Sequence, residues 1–417
     1  MHTRIKLLSH ANLQRIHDRS LHLLSHTGIR VDSAKGRTLL EQAGALSQKG
    51  TSVIRLPQDL VEKAIQSTPR EFVLGGRRKG WSFAVNRGNN TLCLDGEGTL
   101  VIDRDTTEVR PATRKDWLEI TRIADFTEEV GVYWRMITPQ DLGDSMANFV
   151  GGMRDVFQNF TKHVMDPFMD PRQAPWLLEI LQAVFGDRET IQRDHPYSTL
   201  LCPQSPLIIS EEYTDAYFEL KGWDIPVAVM PMALMGATAP ASMLATLIQV
   251  NCEVLATLCL IQANEPGVPF IYAPALTLMD PKTGRYFSGG AENAIMNAAA
   301  VELARFSGFP IMASGFGTDT FMPSRQAGYE RALNTVLPLL EWPDILVGPV
   351  FAAGAFDHHD HQKRQAFTIR AIGDVGSHLI YNKMFKGVCI FIFCYGSSRS
   401  VRLSLYPDYK FRRTACL

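Results

Sequence analysis

The sequence predicts an α/β protein: a (βα)8 TIM barrel with an N-terminal helical and β-rich extension and an atypical C-terminal tail. Three observations carry this reading. Short apolar runs begin near Val130, Lys162, Ser198, Pro226, Pro269, Pro310 and Asp344, roughly 28 to 43 residues apart, the spacing of strand–helix units. Runs such as Pro226-Val227-Ala228-Val229-Met230, Pro269-Phe270-Ile271-Tyr272 and Asp344-Ile345-Leu346-Val347 are apolar without alternation, as parallel strands covered on both faces must be. Between them, residues 146–157, 172–185, 211–221, 240–263, 291–306 and 325–340 have helical patterning. Seven repeats of this kind favour a barrel over a doubly wound sheet. The eighth strand must come from the β-rich patch upstream or from the tail.

Upstream of the repeats, residues 12–45 read as helical. Leu13, Ile16, Leu21, Leu24, Ile29 and Val31 share an apolar face, and Gly28 is the stop signal. A second helix over about 57–67 opens with Pro57 in its first turn. The β-rich patch follows, with Phe72-Val73-Leu74, Thr91-Leu92-Cys93-Leu94 and Leu100-Val101-Ile102 as short apolar runs. Asn89-Asn90 and Asp95-Gly96 supply turn chemistry among them. The expected organisation is therefore 1–129 as helices and β-rich region packing on the barrel, 130–357 as barrel core, and 358–417 as a divergent tail. In that tail His358-His359-Asp360-His361 gives way to a Ser-, Arg- and Cys-containing end without further strand–helix units. A frame change or truncation and a genuine private extension both remain open there.

The totals exclude several classes. With 417 residues, 46% of them hydrophobic and 20% charged, the chain has material for a large packed core. A net charge of −1 offers no basic excess for nucleic acid or an anionic membrane. The N-terminus has no apolar signal-peptide run. Residues 240–263 are apolar enough to suggest a span, but Gln249, Asn251 and Glu253 in their middle suit a buried helix of a soluble fold. Seven cysteines without a C-x-x-C pair fit a reduced cytoplasmic setting. Of eleven histidines only His163 and His195 fall among the regular repeats, so no metal site is expected there. No strand is followed by G-x-G-x-x-G, and no Walker lysine is present.

Five segments in order resemble the trimethylamine methyltransferase family of corrinoid-dependent enzymes. They are Ile16-His17-Asp18 through Gly28-Ile29-Arg30-Val31; Ile54-Arg55-Leu56-Pro57 with Leu60-Val61; and Met235-Gly236-Ala237-Thr238-Ala239-Pro240 with Asn251-Cys252-Glu253-Val254-Leu255-Ala256. The fourth runs from Tyr286 to Gly290 and on through Met296-Asn297-Ala298-Ala299. The fifth runs from Asp319 through Gln326-Ala327-Gly328-Tyr329-Glu330. The resemblance covers about residues 10 to 355. It departs at Thr320-Phe321-Met322-Pro323-Ser324, where many relatives have a lysine and an aspartate, and no family ending follows Asp357. It implies a methyltransferase that moves a methyl group from a methylated amine to a corrinoid carried by a separate protein, with no tightly bound cofactor in this chain. The absence of pyrrolysine resembles the branch whose characterised members demethylate quaternary amines such as glycine betaine. A non-catalytic barrel that binds a methylated amine or a partner is the alternative.

A quaternary cation has no N–H to donate, so aromatic faces and carboxylates must hold it. A barrel presents such groups at the C-terminal ends of its strands. The candidates there are Tyr133, Trp134, Gln204, Tyr272 and Phe316 for binding, with Asp319 as a catalytic acid. The four aromatic residues serve equally well as core packing, and Asp319 as a turn or cap residue. A substrate carboxylate would need donors, for which Thr238 and Arg325 are available. Gln326, Tyr329 and Glu330 lie at i, i+3 and i+4 on one helix face, with Glu330 the second catalytic candidate. The expected partners are the corrinoid protein, a small methylated amine and a second copy of the chain.

Overall fold

Eight parallel strands run in sequence order around a ring: β1 (Thr91–Cys93), β2 (Val130–Tyr133), β3 (His163–Met165), β4 (Tyr197–Leu201), β5 (Val227–Val229), β6 (Phe270–Tyr272), β7 (Met312–Ser314) and β8 (Ile345–Val347). The molecule is described by a computed structural model covering residues 4–348, apart from 89–90, 95–97, 103–107, 144 and 321–323, together with the backbone of 356–357. The ring closes on itself in two places. Ile345, Leu346 and Val347 of β8 pair with Thr91, Leu92 and Cys93 of β1. The β6–β7 seam is a parallel bridge from Tyr272 to Ile311, with the Tyr272 amide donating to the Pro310 carbonyl at 2.9 Å. All seven expected strand sites enter the ring, and the β-rich patch supplies the eighth. The boundary expected at residue 130 thus falls between the first and second strands, because Thr91-Leu92-Cys93 is an apolar run coverable on both faces, like the others.

Strand side chains alternate between two cores. Cys93, Val132, Met165, Leu200, Ala228 and Ile271 belong to the inner cluster that fills the ring. Leu92, Tyr133, Val164, Leu201, Val229 and Tyr272 belong to the outer cluster beneath the helices. The N-terminal end of the ring is plugged by the hairpin Val73–Gly75 and Ser82–Ala84, whose neighbours Phe72, Leu74 and Val85 join the inner cluster. Two histidines tie this plug in place. His163 Nε2 meets Ser198 Oγ at 2.7 Å and its Nδ1 meets the Gly75 carbonyl at 3.1 Å. His195 Nδ1 meets the Val73 carbonyl at 3.0 Å. Burial pushes the His163 ring down to about 3, so it stays neutral.

The helices Met146–Asn159, Ala174–Phe185, Glu211–Phe218, Met243–Asn264, Ala291–Phe306 and Arg325–Leu339 occupy the stretches read as helical between the strands. The helix Met243–Asn264 is long and apolar enough to cross a membrane by length and composition, yet it is buried inside the fold. It lies between the ring and the N-terminal helices His10–His26 and Gln58–Ser67. The stretch 12–45 is not one helix. Gly28 turns the chain at a φ of +82°, and Ile29–Val31 becomes a strand with alternating burial before Ala34–Gln42 resumes as helix. That strand pairs with Val53–Arg55 on one side and, in parallel, with Ile208–Ile209 from the loop after β4 on the other. The N-terminal layer is thereby stitched to the rim of the barrel. The region 358–417, including the histidine-rich run His358-His359-Asp360-His361, lies outside the described residues.

Candidate functional site

The C-terminal ends of the strands form the mouth of the barrel, where a parallel ring places its chemistry. Two small sheets rim it. Leu234–Met235, after β5, pairs with Thr277–Met279, after β6, which in turn pairs with Tyr286–Phe287. Leu100–Ile102, after β1, pairs with Val109–Pro111 and Phe356–Asp357. Within this rim, Trp134 follows directly on β2 and belongs to the inner cluster with Met230 and Ala273, while Cys202 and Ala275 pack against that cluster. Trp134 is 7% exposed, and its indole Nε1 has no hydrogen-bond partner among the described residues. Met232, two residues beyond Met230, is 50% exposed. The inner cluster thus brings apolar and polarisable side chains to the described mouth, with one indole as their aromatic member.

Tyr133 and Tyr272, both singled out from the sequence, point the other way. Tyr133 lies in the outer cluster, and its hydroxyl accepts from Trp117 Nε1 at 2.6 Å. Tyr272 lies under the helix Met243–Asn264, and its hydroxyl donates to Asn251 Oδ1 at 3.2 Å. Burial raises both phenols far above their ordinary range. Phe316 is buried in the outer cluster too, with a left-handed φ of +57°. A bulky side chain in that region is strained and persists only where packing dictates it. Tyr133 and Trp134 are consecutive along β2 and its exit, and period-two geometry lets only one of them face the interior.

Asp319 and Glu330 are brought together, but their contacts are with loops. Asp319 follows β7 and accepts from the Ser288 amide at 2.8 Å and the Gly289 amide at 2.7 Å. Glu330, one turn into the helix Arg325–Leu339, accepts from Thr318 Oγ1 at 2.7 Å and the Asp319 amide at 2.9 Å through Oε2, and from Gln326 Nε2 at 2.7 Å through Oε1. These bonds latch the β7 loop onto the start of the helix Ala291–Phe306. The latch needs Gly289, where an added Cβ would sit 2.5 Å from Glu330 Cδ and 2.7 Å from Asp319 Oδ2. Asn293 and Asn297 extend the network to the Ser288 carbonyl and the backbone of Leu276.

A second latch, built on two of the polar residues read from the sequence as lying in a buried helix, links the β4 and β5 loops. Glu253 is fully buried and accepts from Ser205 Oγ at 2.8 Å, the Leu207 amide at 2.9 Å and Gln249 Nε2 at 3.0 Å. Gln249 Nε2 also donates to the Thr238 carbonyl at 2.9 Å. Thr238 Oγ1 is occupied in the same turn, accepting from the Leu234 amide at 2.9 Å. Gln204 is exposed in the β4 loop and pairs there through its backbone with Ile208. Arg325, Gln326 and Tyr329 are exposed on the helix after β7, Tyr329 at 58%. Gln249 and Glu253 were visible in the sequence as polar residues of a buried helix, but which loops they reach was not.

Nitrogen ligands are spent elsewhere, since His163 and His195 lie at the plugged end. Among the described residues no group of three or more His, Cys, Asp or Glu is placed to hold a metal ion.

A family model described as "Trimethylamine methyltransferase (MTTB)" matches residues 1–341. Trimethylamine methyltransferase MttB of Desulfitobacterium hafniense is 32% identical over 340 residues, 82% of this chain and 68% of that protein. MttB of Methanosarcina barkeri is 30% identical over 351 residues, 82% of this chain and 70% of that protein. A glycine betaine methyltransferase of Desulfitobacterium hafniense is 26% identical over 328 residues, 78% of this chain and 68% of that protein. Among solved structures, the Methanosarcina barkeri monomethylamine methyltransferase MtmB superposes with a TM-score of 0.52 at 12% identity, covering 88% of each chain, which is a likeness of fold.

Proposed function

The chain belongs to the trimethylamine methyltransferase family, and from that premise we propose that it moves a methyl group from a quaternary methylated amine, such as a betaine, to the Co(I) centre of a separate corrinoid protein. The observation that carries this reading is the hydrophobic inner cluster at the mouth of a closed barrel in a member of this family, with the Trp134 indole in it. An indole attracts a fixed cation through its face, and the methionine and alanine side chains of the same cluster would give N-methyl groups contact without competing for the charge.

The chemistry favours a quaternary donor. Displacement at a methyl carbon breaks one C–N bond. The electron pair of that bond stays on nitrogen, which leaves as a neutral tertiary amine and needs no proton. The corrinoid supplies the nucleophilic electron pair and receives the methyl group. The chain's own work is then to hold the cation, align one methyl with the mouth and exclude water. The latches built on Asp319–Glu330 and Gln249–Glu253 support the first two tasks by fixing four mouth loops, so those carboxylates are positioning groups in this reading. The mouth rim, with exposed Met232, is the surface on which the corrinoid protein would dock. A cytoplasmic setting goes with this reading, and Cys93, Cys202, Cys252 and Cys259 are all unbridged.

The test is incubation of the full chain with a reduced corrinoid protein and a panel of quaternary amines and trimethylamine, followed by absorbance. Loss of the Co(I) spectrum with a quaternary amine, dependent on the chain, is the expected result. Amine binding without any spectral change would instead mark a non-catalytic amine-binding barrel, and turnover without a corrinoid would overturn both.

A further inference from the structure

Two indoles stand on either side of β2, and only one has a partner. Trp117, in the outer layer, gives its N–H to Tyr133 at 2.6 Å. Trp134, on the inner side, is 7% exposed, and its Nε1 meets no acceptor among the described residues. Among the described residues, this nitrogen is the one buried side-chain atom without a partner that a residue of the inner cluster carries. Buried N–H donors are nearly always met, because leaving water without a replacement bond is costly. An unmet donor inside the ring, directly beyond the C-terminal end of a strand, therefore calls for an acceptor that arrives with a ligand. Met230 and Ala273 of the same cluster, and Ala275 packed against it, have no side-chain oxygen to offer.

We propose that Trp134 is a specificity-determining residue whose indole N–H donates to an oxygen acceptor on the substrate. The site then takes a quaternary amine bearing a carboxylate or comparable oxygen group in preference to an acceptor-free alkylammonium ion. This rests on the reading of the mouth as an amine site. A single indole can serve both ends of such a zwitterion, its face toward the cation and its edge toward the anion. A carboxylate is the strongest acceptor available to a neutral donor.

The experiment compares glycine betaine with isobutyltrimethylammonium, which has the same shape but methyl groups in place of the carboxylate oxygens. Binding of each to the full chain is measured by calorimetry for wild type and Trp134→Phe. The substitution keeps an aromatic face and deletes the N–H. Trp134→Phe is expected to weaken glycine betaine at least tenfold while changing isobutyltrimethylammonium less than threefold. In wild type, indole 15N–1H spectra should show one cross-peak moving downfield with glycine betaine and not with the isostere. The chain has six tryptophans, so that peak is assigned by its loss in Trp134→Phe or by elimination through the other five. The spectra carry the test if the variant does not fold. Equal weakening of both ligands, or a Trp134 peak that both ligands move alike or neither moves, would overturn the role of the N–H and leave the amine site standing. Failure of wild type to bind either ligand would overturn the amine site and the proposal together.

Discussion

Replacing Glu253 separates its hydrogen bonds from its charge. The carboxylate is fully buried and serves three donors: Ser205 Oγ, the Leu207 amide and Gln249 Nε2. Glu253→Ala strands all three and opens a cavity, for a cost of about 3–5 kcal/mol. Glu253→Gln can place its amide oxygen where Oε1 stands, serving Leu207 and Gln249, and give its NH2 to Ser205 Oγ, which rotates to accept. Its cost should stay within about 1 kcal/mol. The charge then adds a pH signature. Burial raises the Glu253 carboxyl above its ordinary value. Its stabilising contribution is therefore full below the unfolded-state value near 4.5 and is lost as pH rises through the raised value. Glutamine does not titrate, so the stability of Glu253→Gln relative to wild type should improve as pH climbs from about 5 to about 8. Urea midpoints of the three proteins at both pH values, with hydrogen exchange at the Leu207 amide, measure this. Equal destabilisation by Ala and Gln, or a Gln variant that loses ground as pH rises, would refute the reasoning.

Other perturbations test the remaining parts. Tyr133→Phe should leave the Trp117 N–H without its acceptor and cost about 1–3 kcal/mol in chemical denaturation. It should leave amine affinity unchanged, since the phenol faces the helices; a selective loss of affinity would put Tyr133 back in the mouth. Gly289→Ala drives a methyl group into Glu330 and Asp319, so it should cost about 1–3 kcal/mol and loosen the β7 loop in hydrogen exchange. Gly151→Ala, which meets nothing within 4 Å in its helix, should be neutral or stabilising by up to about 1 kcal/mol. Glu341, paired with Arg305 at 3.0 Å and close to Glu302, is pushed up to about 7, chiefly by burial. Its contribution is full below about 4.5 and lost as pH rises through 7, so Glu341→Gln should flatten the fall in urea midpoint across that window.

The ring was legible because strands covered on both faces must be apolar throughout. The runs at Val227–Val229, Phe270–Tyr272 and Ile345–Val347 carry that signal without help from neighbours. The same property hid the site. Where both faces are apolar no alternation marks the inner one, so Tyr133 and Trp134 look alike in sequence although one faces Trp117 and the other the interior. The carboxylates were visible, but their work depends on backbone amides of distant loops, Ser288 and Gly289 for Asp319 and Leu207 for Glu253. Side-chain type says nothing about which amide will arrive. The break at Ile29–Val31 was missed because its parallel partner, Ile208–Ile209, is far along the chain.

The pairing of β8 with β1 sets an order of events during synthesis. Strands β1 through β6 can line up beside one another as they leave the ribosome, but the outer edge of β1 stays bare until the last strand has been made. During that interval the nascent sheet is an open ribbon with a sticky margin, the form most prone to join a neighbour's edge. For this chain, the final few staves of the hoop govern whether everything already translated remains usable.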